Sequence, residues 1–260
     1  MVLFTMNVDL KNSLLKMYDT EMKKCPCVDT KDTLIPWTFW YIGKNFQERK
    51  SPKIAFVGKN SWGESGEKTG DKPYCMDGLT MVKGTFNNRN DKNAPFYDCD
   101  TERVFSRYWG AIKNITKKSL EISSGNCSFL DEIYVTNLCK CNYENMSDYR
   151  DITPNELYEN CTRIFQKEIE IVRPTHLIFF TNTYFDDILS KLEFKFADKS
   201  YEIENKSIDI GDKREIPFLH SVYTCEDKPV MRLLRTRHPQ GTSLKFDNKI
   251  AEWITNNPLI

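Results

Sequence analysis

Lys53-Ile-Ala-Phe-Val-Gly58 follows Pro52 and runs into a Gly-containing turn, a short β-rich apolar stretch with no polar alternation. It reads as a buried strand whose carboxyl end delivers the loop that follows. Glu132-Ile-Tyr-Val-Thr-Asn137 has the same character and closes on a polar residue. A third such run, His176-Leu-Ile-Phe-Phe180, is entered from Pro174, and Val230 to Arg235 supplies a fourth. Helical patterns lie between them. Leu10, Leu14, Tyr18 and Met22 recur at helical spacing over residues 9–23. A helix is expected over Thr101 to Ile115 behind Asp100 as N-cap. Thr153-Pro-Asn-Glu156 is a capping box with Pro in the first helical position, turning Leu157, Cys161, Ile164, Phe165 and Ile169 inward. Shorter helices are expected over Tyr184 to Leu192 and Lys245 to Asn256, and residues 194–228 read as an irregular or hairpin insert.

Strands alternating with helices predict an α/β fold, a three-layer α/β/α sandwich with a central, mainly parallel four-stranded sheet. Residues 1–260 read as one domain, with 1–50 as an N-terminal helical extension. In such sheets ligands bind beyond the carboxyl ends of the strands. The loops after Val57, Val135, Phe180 and Leu234 are therefore where a site is expected.

Composition narrows the function classes. Apolar residues make up 40% and charged residues 28%, with no charge-free run long enough to span a bilayer, so no membrane association is expected. The opening MVLFTMNVDLKNS lacks a basic region and reaches Asp9 before a signal-type apolar core can form, which predicts a cytoplasmic protein. Nine cysteines then read as reduced thiols or metal ligands. Lys plus Arg equal Asp plus Glu at 37 each, so any contact with nucleic acid must rest on a local patch.

Four segments at the expected strand ends carry chemistry-bearing residues in order: Gly58-Lys-Asn60-Ser-Trp-Gly63, Gly70-Asp-Lys-Pro73-Tyr74-Cys-Met-Asp-Gly78, Ile133-Tyr-Val-Thr-Asn137-Leu-Cys-Lys140-Cys141 and Arg237-His238-Pro239-Gln240-Gly241. Together they resemble the uracil-DNA glycosylase superfamily, most closely its iron-sulfur uracil glycosylases but with an Asn-type first motif. The similarity runs from Pro52 to Trp253. It implies that Asn60 positions a water and that His238 serves the leaving group. It implies also that Tyr74 stacks on a flipped base while Asn137 reads its edge, over a floor that includes Gly58. Ser61, Gln240 and Gly241 would grip DNA, and Leu244 would be the wedge that enters the vacated stack.

The residue types suit that reaction. A base must leave the stack before its glycosidic bond is reached, and aromatic stacking plus edge hydrogen bonds offset an unstacking cost of a few kcal/mol. Cleavage leaves positive charge on the sugar and negative charge on the base, so a donor at a base oxygen and an oriented water are required. No lysine is placed for a Schiff base, and the chemistry needs no cofactor. The expected function is a monofunctional DNA glycosylase, acting as a monomer on DNA, including single-stranded or modified DNA. The same relatives hold a structural iron-sulfur cluster, and Cys25, Cys27, Cys141 and Cys161 occupy comparable places. Buried thiols acting as small hydrophobes are the plain alternative.

The motifs also depart from the family: Ser61 and Trp62 replace a proline, Lys59 stands where a glutamate is usual, and Gln240 replaces a serine. These departures motivate a second reading, a non-enzymatic member that binds nucleic acid or a nucleotide in genome defence. A third reading, phosphate binding by Gly58-x4-Gly63, is poor because Glu64-Ser65 stands where a P-loop needs Lys-Ser/Thr.

Overall fold

The computed structural model describes residues 5–24, 34–35, 38–59, 75–77, 85–88, 91–95, 97–98, 103–104, 106–122, 127–140, 142–143, 155–209 and 215–259. Its main sheet is built from β1 (Thr38–Ile42), β2 (Ile54–Gly58), β3 (Cys75–Asp77), β4 (Ile133–Asn137), β5 (His176–Phe179), β6 (Asp198–Asp209), β7 (Glu215–Cys225) and β8 (Lys228–Arg235). The helices used below are α1 (Thr5–Met22), α2 (Arg107–Ser119), α3 (Asn155–Val172), α4 (Asp186–Ser190) and α5 (Leu244–Asn256).

Among the described residues the sheet has eight strands in the order β6-β7-β8-β5-β2-β4-β1-β3. Its centre is the parallel run β8, β5, β2, β4, the same four segments that the apolar runs predicted. The expected four-stranded sheet is thus its middle, extended on both sides. On one side β7 pairs antiparallel with β8, and β6 with β7. On the other β1 runs antiparallel to β4 and parallel to β3. The hairpin was only half legible because β6, Asp-Lys-Ser-Tyr-Glu-Ile-Glu-Asn-Lys-Ser-Ile-Asp, is a charged edge strand with no apolar run. Charge on an edge strand discourages pairing with another chain. The first 50 residues are more than a helical extension: Thr-Phe-Trp-Tyr-Ile at 38–42 joins the sheet itself. Aromatic and β-branched residues favour that outcome.

Side chains on successive strand residues point to opposite faces, and two cores result. Ile54, Phe56, Ile133, Val135, Ile178 and Leu234 meet Trp109, Ile112 and Ile115 of α2 and Phe246, Ile250 and Ile254 of α5. Ala55, Val57, Tyr134, Leu177, Phe179 and Leu233 meet Leu14, Tyr18 and Met22 of α1 and Ile164, Phe165 and Ile169 of α3. Each of the buried Val, Leu, Ile, Phe and Met side chains among them contributes about 1.5–3 kcal/mol through burial. The apolar stripe expected over residues 9–23 is buried as read, and so are Cys161, Ile164, Phe165 and Ile169.

Helix α2 begins later than expected. Its N-cap is Ser106, whose Oγ accepts the Trp109 amide at 3.2 Å, whereas Asp100 lies outside the described residues. A short strand at Arg103–Val104 occupies what was expected as the first turn. Similarly, a 3-10 turn over Asn182–Phe185 precedes α4, which shortens the helix expected over residues 184–192. No helix among the described residues is long and apolar enough to cross a membrane.

Candidate functional site

The carboxyl ends of β2, β4, β5 and β8 face one way because these strands are parallel neighbours. Gly58 and Asn137 are paired in register at the ends of β2 and β4. A Cβ added to Gly58 would fall 2.3 Å from Oδ1 of Asn137 and 3.3 Å from the hydroxyl of Tyr108. Only glycine lets the Asn137 amide lie across that strand end. Asn137 itself is 7% exposed, so its polar head is held in a largely desolvated position.

His238 follows β8 and reaches the same edge. Its ring stacks on Tyr108 of α2, with centroids 5.5 Å apart and planes 18° from parallel. Two backbone-directed bonds fix it. The His238 amide donates to Oδ1 of Asn182 at 2.9 Å, and Nδ1 accepts the Gln240 amide at 3.2 Å. Asn182 is in the left-handed region with φ 56°, which asparagine tolerates better than most residues, and its own amide donates to Thr236 O at 3.1 Å. Because Nδ1 accepts, the ring proton of neutral His238 sits on Nε2. Burial, and then the positive charge of Lys59, push the His238 pKa down from 6.5 to about 4. The side chain is therefore a neutral Nε2–H donor at neutral pH.

The loop beyond His238 is tied to the helices beneath. Arg107 donates through Nε to Thr242 O at 3.1 Å and through Nη2 to Thr242 Oγ1 and Ser243 O, each at 2.9 Å. The same Nη2 pairs at 2.6 Å with Asp247, a buried carboxylate that also accepts from Asn114 at 2.9 Å. Gly241 turns this loop with φ 76°, a conformation that suits glycine. Gln240 and Gly241 are exposed at its tip. Leu244, expected as the wedge, opens α5 beside this loop and is 65% exposed.

The described residues thus bring together Gly58, Asn137 and His238, with Gln240 and Gly241 on the adjoining loop and Leu244 at the start of α5. Asn60, Ser61 and Tyr74 lie outside the described residues, as do Cys25, Cys27 and Cys141. Of the expected cluster ligands, Cys161 alone is described. It is fully buried on α3, its Sγ is 3.9 Å from Sγ of Cys139, and it accepts the Lys140 amide at 3.2 Å. Hydrogen bonding to Cys139 and burial push its thiol well up, as for a protonated pair of small core residues. No group of three or more metal-ligating side chains occurs among the described residues. His176 and His220 both meet Trp253 edge-on inside the fold, and Nε2 of His176 donates to Asn257 O at 2.9 Å.

Two site residues escaped the sequence reading. Tyr108 sits in an amphipathic helix beside a buried tryptophan, where an aromatic residue signals core. Asn182 stands just after the third strand, in a loop flagged by position alone. No protein-family model matches the chain, and no curated protein matches it.

Proposed function

We propose that the chain is a DNA glycosylase of the uracil-DNA glycosylase type, with the three-layer α/β/α architecture of that superfamily, working as a cytoplasmic monomer. The observation that carries this reading is the meeting of Gly58, Asn137 and His238 at one carboxyl edge, from three motifs far apart in sequence. Asn137 supplies an amide for the edge of an extruded base, and His238 supplies a neutral Nε2–H for a base oxygen. As the glycosidic C–N bond breaks, its electron pair departs with the base, and a donor already aimed at the developing oxyanion lowers the barrier without reorganisation. Water then delivers hydroxide to the anomeric carbon and a proton to the base. Asn60 holds that water and Tyr74 stacks on the base, as the resemblance implies.

Donation by a neutral imidazole suits an anionic leaving group, since proton transfer is not required. The exposed Leu244 beside the Gln240-Gly241 turn supports a wedge that replaces the base in the stack. A structural iron-sulfur cluster on Cys25, Cys27, Cys141 and Cys161 gains no support from the close Cys139–Cys161 pair, and the chemistry needs none. The decisive measurement is mass-spectrometric detection of free bases after incubation with DNAs carrying uracil, hypoxanthine, xanthine or hypermodified pyrimidines. Release from one of them, lowered at least 100-fold by His238→Ala, is expected, on the order of what losing an oxyanion donor costs elsewhere. Tight binding of an oligonucleotide without release would instead mark a binding protein, and the absence of both release and binding would end the reading.

A further inference from the structure

The turn after His238 is held more firmly than its own residues explain. The Thr242 amide donates to Pro239 O at 2.9 Å, and Gly241 between them has φ 76°, the positive value that a type II turn requires at its third position. Pro239 is buried, but Gln240, Gly241, Ser243 and Leu244 are all exposed, so apolar burial does little to fix the tip. The fixing comes from Arg107, the first residue of α2. Its Nε donates to Thr242 O at 3.1 Å, and its Nη2 reaches Thr242 Oγ1 and Ser243 O at 2.9 Å and Asp247 Oδ1 at 2.6 Å. Thr242 Oγ1 passes the grip on by donating to Pro239 O at 2.6 Å. Behind the guanidinium, Asp247 is 1% exposed, and its other oxygen accepts Nδ2 of Asn114 at 2.9 Å. A hydrogen-bonded chain therefore runs from Asn114 through Asp247, Arg107 and Thr242 to the carbonyl of the residue next to His238. Bonds in such a chain polarise and strengthen one another.

We propose that Arg107 is a positioning residue: it latches the turn that carries Gln240 and Gly241, and with it His238, in place before nucleic acid arrives. A turn ordered only on binding adds its ordering cost to every encounter, and a turn already fixed avoids that cost. Position also governs rate, since a reacting group displaced by about 1 Å can lose on the order of a hundredfold. A role in stability alone would need only a cation beside Asp247. Arg107 instead directs its contacts to Thr242 O, Thr242 Oγ1 and Ser243 O as well, a pattern that suits a planar fork of donors and not the point charge of a lysine. What the turn does for base release rests on the glycosylase reading above; the latch itself does not.

Two variants test the latch from its two ends. Arg107→Lys keeps a cation beside Asp247 and gives up the fork, whereas Thr242→Val keeps the ion pair and the side-chain shape while cutting the link to Pro239. Neither leaves the buried carboxylate without its cation, so both fold with unfolding midpoints close to wild type. Amide hydrogen exchange followed by NMR reads the loop without any substrate. The Gln240 and Thr242 amides, bonded to His238 Nδ1 and Pro239 O, are protected in wild type. Their exchange quickens on the order of tenfold in both variants, the equivalent of one hydrogen bond's net contribution, while the Leu177 and Ile178 amides of β5 keep their rates. Single-turnover base release from DNAs carrying uracil, hypoxanthine, xanthine or hypermodified pyrimidines slows on the order of tenfold or more in the same variants. Unchanged exchange of both loop amides in Arg107→Lys overturns the latch, whatever the release assay gives. Faster exchange with wild-type release overturns the positioning role and leaves the glycosylase reading in place. No release by wild type from any of these DNAs overturns the glycosylase reading and the positioning role with it, while exchange still decides the latch.

Discussion

Asn137 and Lys140 stand three positions apart along the chain, at and just past the end of β4, and their surroundings are opposite in kind. Lys140 and Glu168 form an ion pair in which both side chains are fully buried. Lys140 also donates to Thr136 Oγ1 at 2.9 Å, Tyr134 donates its hydroxyl to Glu168, and the ammonium lies 5.5–5.7 Å from the Phe165 and Tyr18 rings. That network closes on itself between the sheet, α1 and α3. On the other side of the strand end, Asn137 shares its space with the Tyr108 hydroxyl and the neighbouring His238, whose Nε2–H has no partner among the described residues. A buried charge held by an opposite charge, a hydroxyl and two aromatic rings is architecture. Donors left over at the carboxyl edge of a parallel sheet are what a ligand completes.

The largest effect should come from breaking the closed network. Lys140→Met leaves Glu168 buried without its cation and should cost about 3–5 kcal/mol in urea unfolding. Adding Glu168→Gln should restore much of the loss, because a neutral amide still accepts from Tyr134. If the single variant is as stable as wild type, the Lys140–Glu168 pair is not structural.

Gly58→Ala attacks the open side. Forcing a methyl group to within 2.3 Å of Asn137 Oδ1 should cost about 1–3 kcal/mol. It should also abolish oligonucleotide binding, measured at a temperature where the variant is folded.

Acidity offers a gentler probe of both faces. His176 and His238 have pKa values lowered from 6.5 to about 4, each chiefly by burial. Between those values the unfolded chain binds more protons than the folded one, so stability must fall as pH drops from 6.5 and level off below about 4. Chemical denaturation across that window should show the slope, and His176→Gln should flatten it. Protonating His238 also puts a proton on Nδ1 against the Gln240 amide, so base release should be steady from neutral pH downward and collapse near pH 4.

The smallest stability effect belongs to His238→Gln, at the rim of the site. It loses the stack on Tyr108 and should cost about 0.5–1.5 kcal/mol, while releasing base far more slowly.

How much of this was legible follows from the range of each signal. Apolar runs and helical spacing are local, so the four central strands and the inward stripes of α1 and α3 could be read directly. The charged β6 could not be, since a strand with no apolar run is fixed only by its pairing with β7. Asn137 was legible because a polar residue closes an apolar strand there, whereas Gly58 and His238 were singled out by the resemblance of their segments.

Tertiary structure alone decided which of these ends become neighbours. The order β8-β5-β2-β4 lays His238 over a tyrosine on α2, ties the His238 loop to Asn182, and gives Cys161 the partner Cys139. The sequence by itself determined which segments are strands, which faces are apolar and where polar groups break them. Periodicity records how each segment buries its own surface but carries no address for the segment it packs against. That choice is made only when all the apolar faces are buried together.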